Sequence, residues 1–386
     1  MNVSDASTVG LSSGRVLLVA PVPPPYGGVA LQAKQLRKLI RQDGIAADQL
    51  AHNQPFPVWL RFLERVPALR TFLRAGLFYI RFWRQVRNQD VVHILASSWL
   101  NCLLVVCPAI LMARLRGKKV VLNYRGGDAD QFLKWWGWLT KPFFQMANVT
   151  TAPSRFLSQV IQKRIGIPVT IVPNMVNFSL FRYRERFSFQ PKMVATRHLE
   201  DAYDVESVLR AFRQIQLNFP DASLWIAGTG SEEVRLRKLA SVWKLGNVRF
   251  LGYVDHQALP GIYDQCDILL NGSRIDNFPG SLMEASASGL VVVSTNAGGI
   301  PFIYENGKNA LLVDVGDWRA LAAQVELVLR HQDLARQLTS AGVDLCRQCD
   351  WQNVRRALYE VYGFCPPENH GETGPADPQF VWTNEQ

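Results

Sequence analysis

The chain has 386 residues, of which 48% are hydrophobic and 19% charged, and 42 Lys and Arg against 32 Asp and Glu give a net charge of +10. This composition excludes a collagen-like or largely disordered chain, and the length predicts about two or three globular domains. The sequence pI near 9.4 indicates an anionic partner, such as nucleic acid, a membrane surface or a phosphorylated substrate.

The N-terminus, the apolar runs and the cysteines disfavour several further classes of protein. Residues 1–14 are polar, so we expect a flexible N-terminus without a signal peptide. The longest apolar run, Trp99 to Ala113, is too short to span a bilayer. The CxxC pair Cys346 and Cys349 has no second ligand pair, so we expect no metal site. A cytoplasmic, reducing location is the simplest interpretation.

Residues 15–180 alternate strand-like and helix-like segments and are predicted to form one domain. The apolar run from Arg15 to Ala20 is followed by the glycine turn Gly27-Gly28 and a helix-like segment. Further strand-like runs begin near Val91, Lys119, Asn148 and Val169. A strand, a glycine turn and a helix in this order are typical of a doubly wound parallel sheet.

The helix-like segment from Pro67 to Arg87 combines apolar and basic residues. One stripe contains four apolar residues and is bordered by four arginines: Leu69, Leu73, Leu77 and Ile80, and Arg70, Arg74, Arg81 and Arg84. This pattern fits a helix that lies on an anionic membrane surface, and it equally fits a core helix with a solvated basic edge. The first alternative, together with the net charge, would place the protein peripherally on the inner face of the cytoplasmic membrane.

The second half of the chain repeats the alternating pattern. Residues 181–192 are polar and basic and are predicted to be a linker, and residues 193–345 carry six strand-like runs separated mostly by helical segments. The sequence therefore predicts an α/β protein with two Rossmann-like domains facing a cleft. Residues 346–364 are aromatic and amphipathic, whereas the polar residues 365–386 are predicted to be a disordered tail.

The most informative motif runs from Asp276 to Glu284. Gly280 and Ser281 lie between the two carboxylates and open a helix-like run, so free N–H groups can face an anion there. Ionised carboxylates readily accept hydrogen bonds from sugar hydroxyls. The motif thus fits a ligand that is part sugar and part phosphate, although an ordinary acidic turn is the alternative.

Several motifs, in order along the chain, resemble those of the retaining GT-B glycosyltransferases of family 4, the glycosyl transferases group 1. They are Gly27-Gly28, Val172 to Phe181, Ala227 to Gly230, Val248 to Val254, Asp276 to Glu284, Gly298 to Pro301 and Asn306 to Val313. The resemblance covers residues ~15 to ~363 and is most specific in the C-terminal half. It implies the GT-B architecture, with the segment 346–364 crossing back onto the N-terminal domain.

The resemblance also implies roles for single residues. Glu284 would hold the ribose of a nucleotide sugar, Asp276 would contact its hexose, and Arg197 would bind its diphosphate. Further donor contacts are implied for Gly27, Gly28, Tyr253, Val254, Phe278, Pro279, Gly280, Ser281 and Leu282.

The chain departs from the family pattern at three positions. Asp276 stands where Glu is usual, and the Lys expected a few residues after Arg197 is absent. Arg125 lies where the family often has a His. We interpret Arg125 as a catalytic residue that supplies the missing positive charge, the alternative being an arginine fixed by core packing. The six histidines show no ligand-like spacing, although His198 adjoins Arg197.

The expected activity is a metal-independent transfer of a hexose, with retention, from a UDP- or GDP-sugar to a saccharide or lipid-linked acceptor in cell-surface polysaccharide synthesis. Arginine side chains and helix N-termini can stabilise a leaving diphosphate without a metal or other cofactor, so the triplet Asp128-Ala129-Asp130 is not taken as a metal site. A nucleotide-sugar-binding protein without activity and a GT-B-fold epimerase are the alternatives. A nucleic-acid partner is not expected, because no basic binding motif is present.

Overall fold

A computed structural model describes residues 14–23, 27–53, 56 and 67–365. The predicted flexible N-terminus, except for Gly14, and the predicted disordered tail, except for Cys365, lie outside the described residues. The chain divides into two compact units. Unit 1 contains the described residues up to Pro173 and those from Gln352 onward, and unit 2 is Asn174–Trp351.

Unit 1 is built on a parallel sheet of six strands in the order β2-β1-β3-β4-β5-β6. The strands are β1 (Arg15–Val19), β2 (Ala46–Leu50), β3 (Val91–Ala96), β4 (Lys119–Tyr124), β5 (Val149–Ala152) and β6 (Thr170–Ile171). The sequence pattern identified all of these except β2. This edge strand contains Asp48 and Gln49, and an edge strand needs no continuous apolar run because one side is open to solvent.

The helices of unit 1 that precede unit 2 are α1 (Gly28–Gln42), α2 (Pro67–Gln85), α3 (Trp99–Asn101), α4 (Cys107–Leu115), α5 (Ala129–Met146) and α6 (Arg155–Ile165). A π-helical turn, Cys102–Val106, joins α3 to α4. One core cluster contains strand residues together with Phe82 of α2, Ile110 of α4, Phe132 of α5 and Ile161 of α6. These four helices therefore cover the same face of the sheet.

The apolar stripe predicted for α2 is not the face that enters the core. Ala75, Phe78 and Phe82 are the buried apolar residues of the helix, whereas Leu73 and Ile80 are exposed. The large phenyl rings fill the space over the sheet, so Leu73 and Ile80 of the stripe are left towards solvent. One side of α2 thus packs into the core, as the core-helix alternative predicts, and the membrane-surface alternative stays a prediction.

Unit 2 repeats the architecture with strand order β12-β11-β10-β7-β8-β9, all parallel. Its strands, all six of them predicted, are β7 (Lys192–Thr196), β8 (Ser223–Ala227), β9 (Val248–Gly252), β10 (Ile268–Asn271), β11 (Val291–Thr295) and β12 (Leu311–Val313). Its helices are α7 (Val205–Asn218), α8 (Glu233–Val242), α9 (Leu259–Tyr263), α10 (Gly280–Ala287), α11 (Trp318–Arg330) and α12 (Gln332–Arg347). The α/β fold with two parallel sheets is confirmed.

The segment 181–192, predicted as a linker, lies within unit 2. Arg186 is buried there, and its guanidinium donates to Asp267 Oδ1 at 2.9 Å and to the carbonyls of Tyr263, Cys266 and Ser288. A buried cation needs such partners, and they are distant in sequence. The segment is therefore fixed to unit 2 by buried hydrogen bonds despite its polar composition. The chain passes from unit 1 to unit 2 after Pro173.

The last helix, α13 (Trp351–Tyr362), belongs to unit 1 almost entirely. The Tyr362 hydroxyl lies 2.6 Å from His93 Nδ1 in β3, and the Tyr359 hydroxyl donates to Asp43 Oδ2 at 2.8 Å. Both tyrosines are buried, so these bonds tie the chain end to the first sheet. In the part of the chain that the structure describes, no helix is long and apolar enough to cross a bilayer.

Candidate active site

The carboxyl edge of the unit 2 sheet gathers most of the residues singled out in its sequence. Arg197 directly follows β7, Gly228 follows β8, Tyr253 follows β9, and the loop that contains Asp276 follows β10. Because the strands are parallel, their carboxyl ends lie along one edge, where open α/β sheets bind ligands.

Arg197 and Asp276 form an ion pair at this edge, and their side chains are only 15% and 9% exposed. Arg197 Nε also donates to Asn271 Oδ1 at 3.2 Å, and the guanidinium lies 4.9 Å from the ring centroid of Tyr203. Burial lowers the pKa of Arg197, while nearby acidic groups, including Glu284, oppose this shift. Because arginine stays protonated in proteins, Arg197 is a charged group that these contacts hold in one orientation.

Glycines let neighbouring turns approach this pair closely. A Cβ on Gly228 would lie 1.9 Å from the carbonyl oxygen of Arg197. Gly298 has φ +54°, and a Cβ there would lie 2.3 Å from the carbonyl oxygen of Asp276. The next residue, Gly299, donates its N–H to that same oxygen. The two turns thus fix the backbone of Arg197 and Asp276, and only glycine fits there.

Helix α10 begins at Gly280 within the same loop. Its first turn carries no acidic residue, and a Cβ on Gly280 would meet no atom within 4 Å. Ser281 Oγ is buried and, within the described residues, has no hydrogen-bond partner. A helix N-terminus without an acidic residue in its first turn, together with a spare hydroxyl, is suited to binding an anion such as a phosphate.

Glu284 lies one turn further along α10, where His256 Nε2 donates to its Oε1 at 2.8 Å. The ring of His256 packs edge-on against buried Phe181 at 5.2 Å between centroids. Both partners of the bond remain about one-fifth exposed. The carboxylate is therefore oriented by one side chain while remaining accessible to a ligand.

The contact of His256 with Glu284 was not predicted from the sequence. The position of His256 among the six histidines shows no metal-ligand spacing. The available signal was its position four residues after β9 ends, at the same sheet edge as the acidic loop. His198, by contrast, is exposed, and its ring faces that of Tyr203 at 6.4 Å.

The predicted donor-binding residues that flank these groups are also at this edge. Tyr253 is exposed, whereas Val254, Phe278 and Pro279 are partly or fully buried and Leu282 enters the core. Leu282 can therefore offer only its backbone to a ligand.

Unit 1 has its own group of candidates at the carboxyl edge of its sheet. Gly27 and Gly28 begin α1 directly after β1 and its loop, with open space where each Cβ would be. Arg125 follows β4, and its Nε donates to Asn123 Oδ1 at 3.1 Å. Burial lowers the pKa of Arg125 to about 10, which the nearby Tyr362 hydroxyl partly offsets. The side chain thus is charged and held by its own unit, which is compatible with either predicted role.

The triplet Asp128-Ala129-Asp130 does not form a cluster of free carboxylates. Both oxygens of Asp130 accept from Arg164, at 2.7 Å and 2.6 Å, and Asp128 Oδ2 accepts from Trp99 Nε1 at 3.4 Å. Over the described ranges, no three His, Cys, Asp or Glu side chains are grouped as a metal ion would require.

Comparison with known proteins gives matches over both units. Residues 26–180 match the model described as Glycosyltransferase Family 4, and residues 182–344 match Glycosyl transferases group 1. Phosphatidyl-myo-inositol mannosyltransferase of Mycobacterium leprae is 28% identical over 87% of this chain and 92% of its own length. Glycogen synthase of Mycobacterium tuberculosis is 25% identical over 73% and 69% of the two chains.

Solved structures show the same fold at low sequence identity. HepE of Anabaena, solved with UDP and glucose, is 15% identical and has a TM-score of 0.69 over 90% of this chain and 99% of its own. Sucrose-phosphate synthase of Thermosynechococcus elongatus is 17% identical, with a TM-score of 0.71 over 90% and 98% of the chains.

Proposed function

The chain belongs to the family 4 glycosyltransferases of the GT-B fold, and from this premise we propose that it transfers a hexose, with retention and without a metal, from a nucleotide-diphosphate sugar to a saccharide or lipid-linked acceptor. Cell-surface polysaccharide or glycolipid synthesis is the proposed context. UDP- and GDP-sugars are the first donors to test.

One observation carries the proposal. One sheet edge brings together a buried arginine, two carboxylates and a helix N-terminus without an acidic residue. These groups are Arg197, Asp276, Glu284 and the first turn of α10. Positive groups suit the diphosphate, and carboxylates suit the hydroxyls of ribose and hexose. Ser281 Oγ adds a buried hydroxyl without a protein partner in the described structure.

The proposed chemistry follows from where charge develops. The bond from the sugar to phosphate breaks as an acceptor hydroxyl attacks, and the leaving diphosphate gains negative charge. Arg197 and the N–H groups of α10 would stabilise this charge because they are already oriented. Asp276 would be held near the hexose by its ion pair with Arg197. Its side chain is one methylene shorter than that of the usual Glu. Arg125 of unit 1 is proposed as a further cation for the diphosphate.

The proposed acceptor has a hydroxyl on a saccharide or on a lipid-linked saccharide. Unit 1 is proposed to bind it, since most of the residues assigned to the donor lie in unit 2. The names of two relatives contain a lipid, phosphatidyl-myo-inositol, and a polysaccharide, glycogen.

A panel of UDP-, GDP- and ADP-sugars, with and without candidate acceptors, tests the proposal. Release of the nucleoside diphosphate together with a glycosylated acceptor would support transfer. Tight donor binding without turnover would identify a binding protein instead, and inversion of a sugar centre would identify an epimerase. Activity that survives EDTA, and an unchanged anomeric configuration in the product, would support the metal-independent and retaining parts.

A further inference from the structure

The outer side of the helical layer of unit 1 carries large apolar residues that face solvent. The layer consists of α2, α4, α5 and α6, whose neighbours pack in that order and whose inner sides share one core. Its exposed residues include Phe72, Leu73, Ile80 and Trp83 of α2, Leu111 and Leu115 of α4, and Trp135, Trp136 and Trp138 of α5.

Helix α5 shows the pattern most clearly, because it carries large apolar residues on both of its sides. Its buried side contains Ala129, Phe132, Leu133, Gly137, Thr140 and Phe144. Its tryptophans are on the exposed side, with Trp135 63% and Trp138 75% exposed. Burying a side chain of this size stabilises a protein substantially, so placing these rings in water is unfavourable unless they contact a partner.

A close packing requirement explains the small residues but not the tryptophans. A Cβ on Gly137 would lie 2.7 Å from Ile165 Cγ2 of α6, so α5 and α6 need glycine to approach each other. Nothing in the core of unit 1 requires an indole at positions 135 or 138, because these side chains do not enter it. Their presence is therefore better explained by something outside the unit.

The charge of the stretch of sequence that contains this layer indicates the chemistry of that partner. Residues 67–165 contain fifteen Lys and Arg, three Asp and no Glu, a net charge of +12. The whole chain has only +10, so this stretch accounts for all of its excess positive charge. Trp83 and Arg116 show how the two features combine, since the guanidinium stacks 3.7 Å from the indole centroid where α2 and α4 meet.

We propose that the outer surface of α2, α4 and α5 is a membrane-binding surface that inserts Trp135 and Trp138 into an anionic bilayer. Indole rings favour the zone between headgroups and acyl chains, where the ring is dehydrated and its N–H stays hydrated. Lys and Arg of the same helices, such as Lys134 and Lys141 of α5, would attract acidic lipids. On the proposed function, on which this last step rests, the surface would bring unit 1 to an acceptor anchored in the same bilayer.

Vesicle flotation of the full chain tests the proposal without donor or acceptor. The protein is expected to float with phosphatidylcholine vesicles that contain about a quarter phosphatidylglycerol, and to bind pure phosphatidylcholine much more weakly. The double variant Trp135→Ser/Trp138→Ser is expected to lower the partition coefficient roughly 10- to 100-fold, because two large apolar side chains are removed. A matched variant of unit 2, Leu217→Ser/Val234→Ser, removes side chains that are 71% and 81% exposed and should leave binding unchanged.

Other outcomes would overturn the proposal. Absence of binding by the wild-type chain, or equal binding by the tryptophan variant, would refute the surface. A wild-type dimer that the same variant converts to a monomer would identify a second copy as the partner. Thermal unfolding of each variant separates loss of binding from loss of folding. Donor hydrolysis in solution is measured separately, so failure of vesicle binding would leave the proposed transfer reaction standing.

Discussion

The two units have the same architecture but differ in net charge and in the distribution of their exposed apolar residues. Each is a six-stranded parallel sheet with helices packed against it. Unit 2, residues 174–351, contains eighteen Lys and Arg and twenty Asp and Glu, a net charge of −2, whereas residues 67–165 of unit 1 alone carry +12. Large exposed apolar residues are scattered along unit 2, but those of unit 1 all fall between Phe72 and Trp138 in the described structure.

This difference suggests that one scaffold serves two kinds of binding. In unit 2 positive and negative residues are nearly equal in number. Its candidate site residues are held at a sheet edge by glycine turns and by ion pairs such as Arg197–Asp276. Such a site suits a small, highly polar ligand that demands fixed geometry. Unit 1 instead presents a broad basic and aromatic surface, which suits an extended anionic partner. Variants that impair one unit and spare the other would test whether this division holds.

The largest expected effect lies in unit 2. Replacing Glu284 with Ala should lower kcat/KM for the donor about 100-fold, because an oriented polar contact to the donor is lost. Glu284→Gln should recover part of the activity by keeping the hydrogen-bonding shape. Glu305→Ala serves as the control, since Glu305 forms an exposed pair with Lys308. Full activity in Glu284→Ala would contradict the assignment of this edge as the donor site.

Acid should destabilise unit 1 more than unit 2. Burial, reinforced by Arg125, lowers the pKa of His93 to about 3, and burial lowers that of His52 to about 4. As pH falls from about 6.5, the unfolded chain takes up protons that the folded chain cannot, so stability is lost until the folded pKa is reached. For His93 alone the free energy of unfolding should fall by about 2 kcal/mol between pH 7 and pH 5.

Urea unfolding at these two pH values measures the effect, with His93→Gln as the comparison. The variant should lose less stability on acidification than the wild type does. Limited proteolysis at pH 5 should cleave unit 1 before unit 2. An identical pH dependence in both proteins would show that His93 does not distinguish the units.

Arg125 tests whether unit 1 also takes part in the chemistry. We expect Arg125→Ala to lower kcat about 10-fold, because one cation that stabilises the leaving diphosphate is lost. Arg125→Lys should then retain part of kcat with an unchanged melting temperature. If both variants instead lose stability and leave kcat intact, Arg125 is a packing residue fixed by Asn123 and its surroundings.

The smallest effect is expected at His256, which orients Glu284 through a partly exposed hydrogen bond. His256→Asn should raise the donor KM roughly fivefold, since a bond to a charged group contributes about 1 kcal/mol there. His331→Asn, between α11 and α12, is the control in the same unit. Isothermal titration with UDP and with UDP-sugar would show whether the loss lies in donor binding, and equal affinities would exclude this positioning role.

Much of the fold could be predicted because parallel strands buried on both faces appear as apolar runs. Val291–Thr295 and Val91–Ala96 are such runs, with every residue buried. The edge strand Ala46–Leu50 was missed because its burial is partial and its side chains include Asp48. The anchoring of residues 181–192 within unit 2 could not be predicted, since arginine is usually solvated and Arg186 is instead buried against Asp267.

The sequence by itself determined the alternation of strands and helices, the acidic loop from Asp276 to Glu284, and the excess of positive charge between residues 67 and 165. These depend on residue type and spacing along the chain. Only the tertiary structure decided which partners meet across long stretches of sequence, such as His256 with Glu284 and Tyr362 with His93. It also decided that the tryptophans of α5 face outward. Periodicity shows that a helix has two sides, but the neighbouring elements select which side is buried.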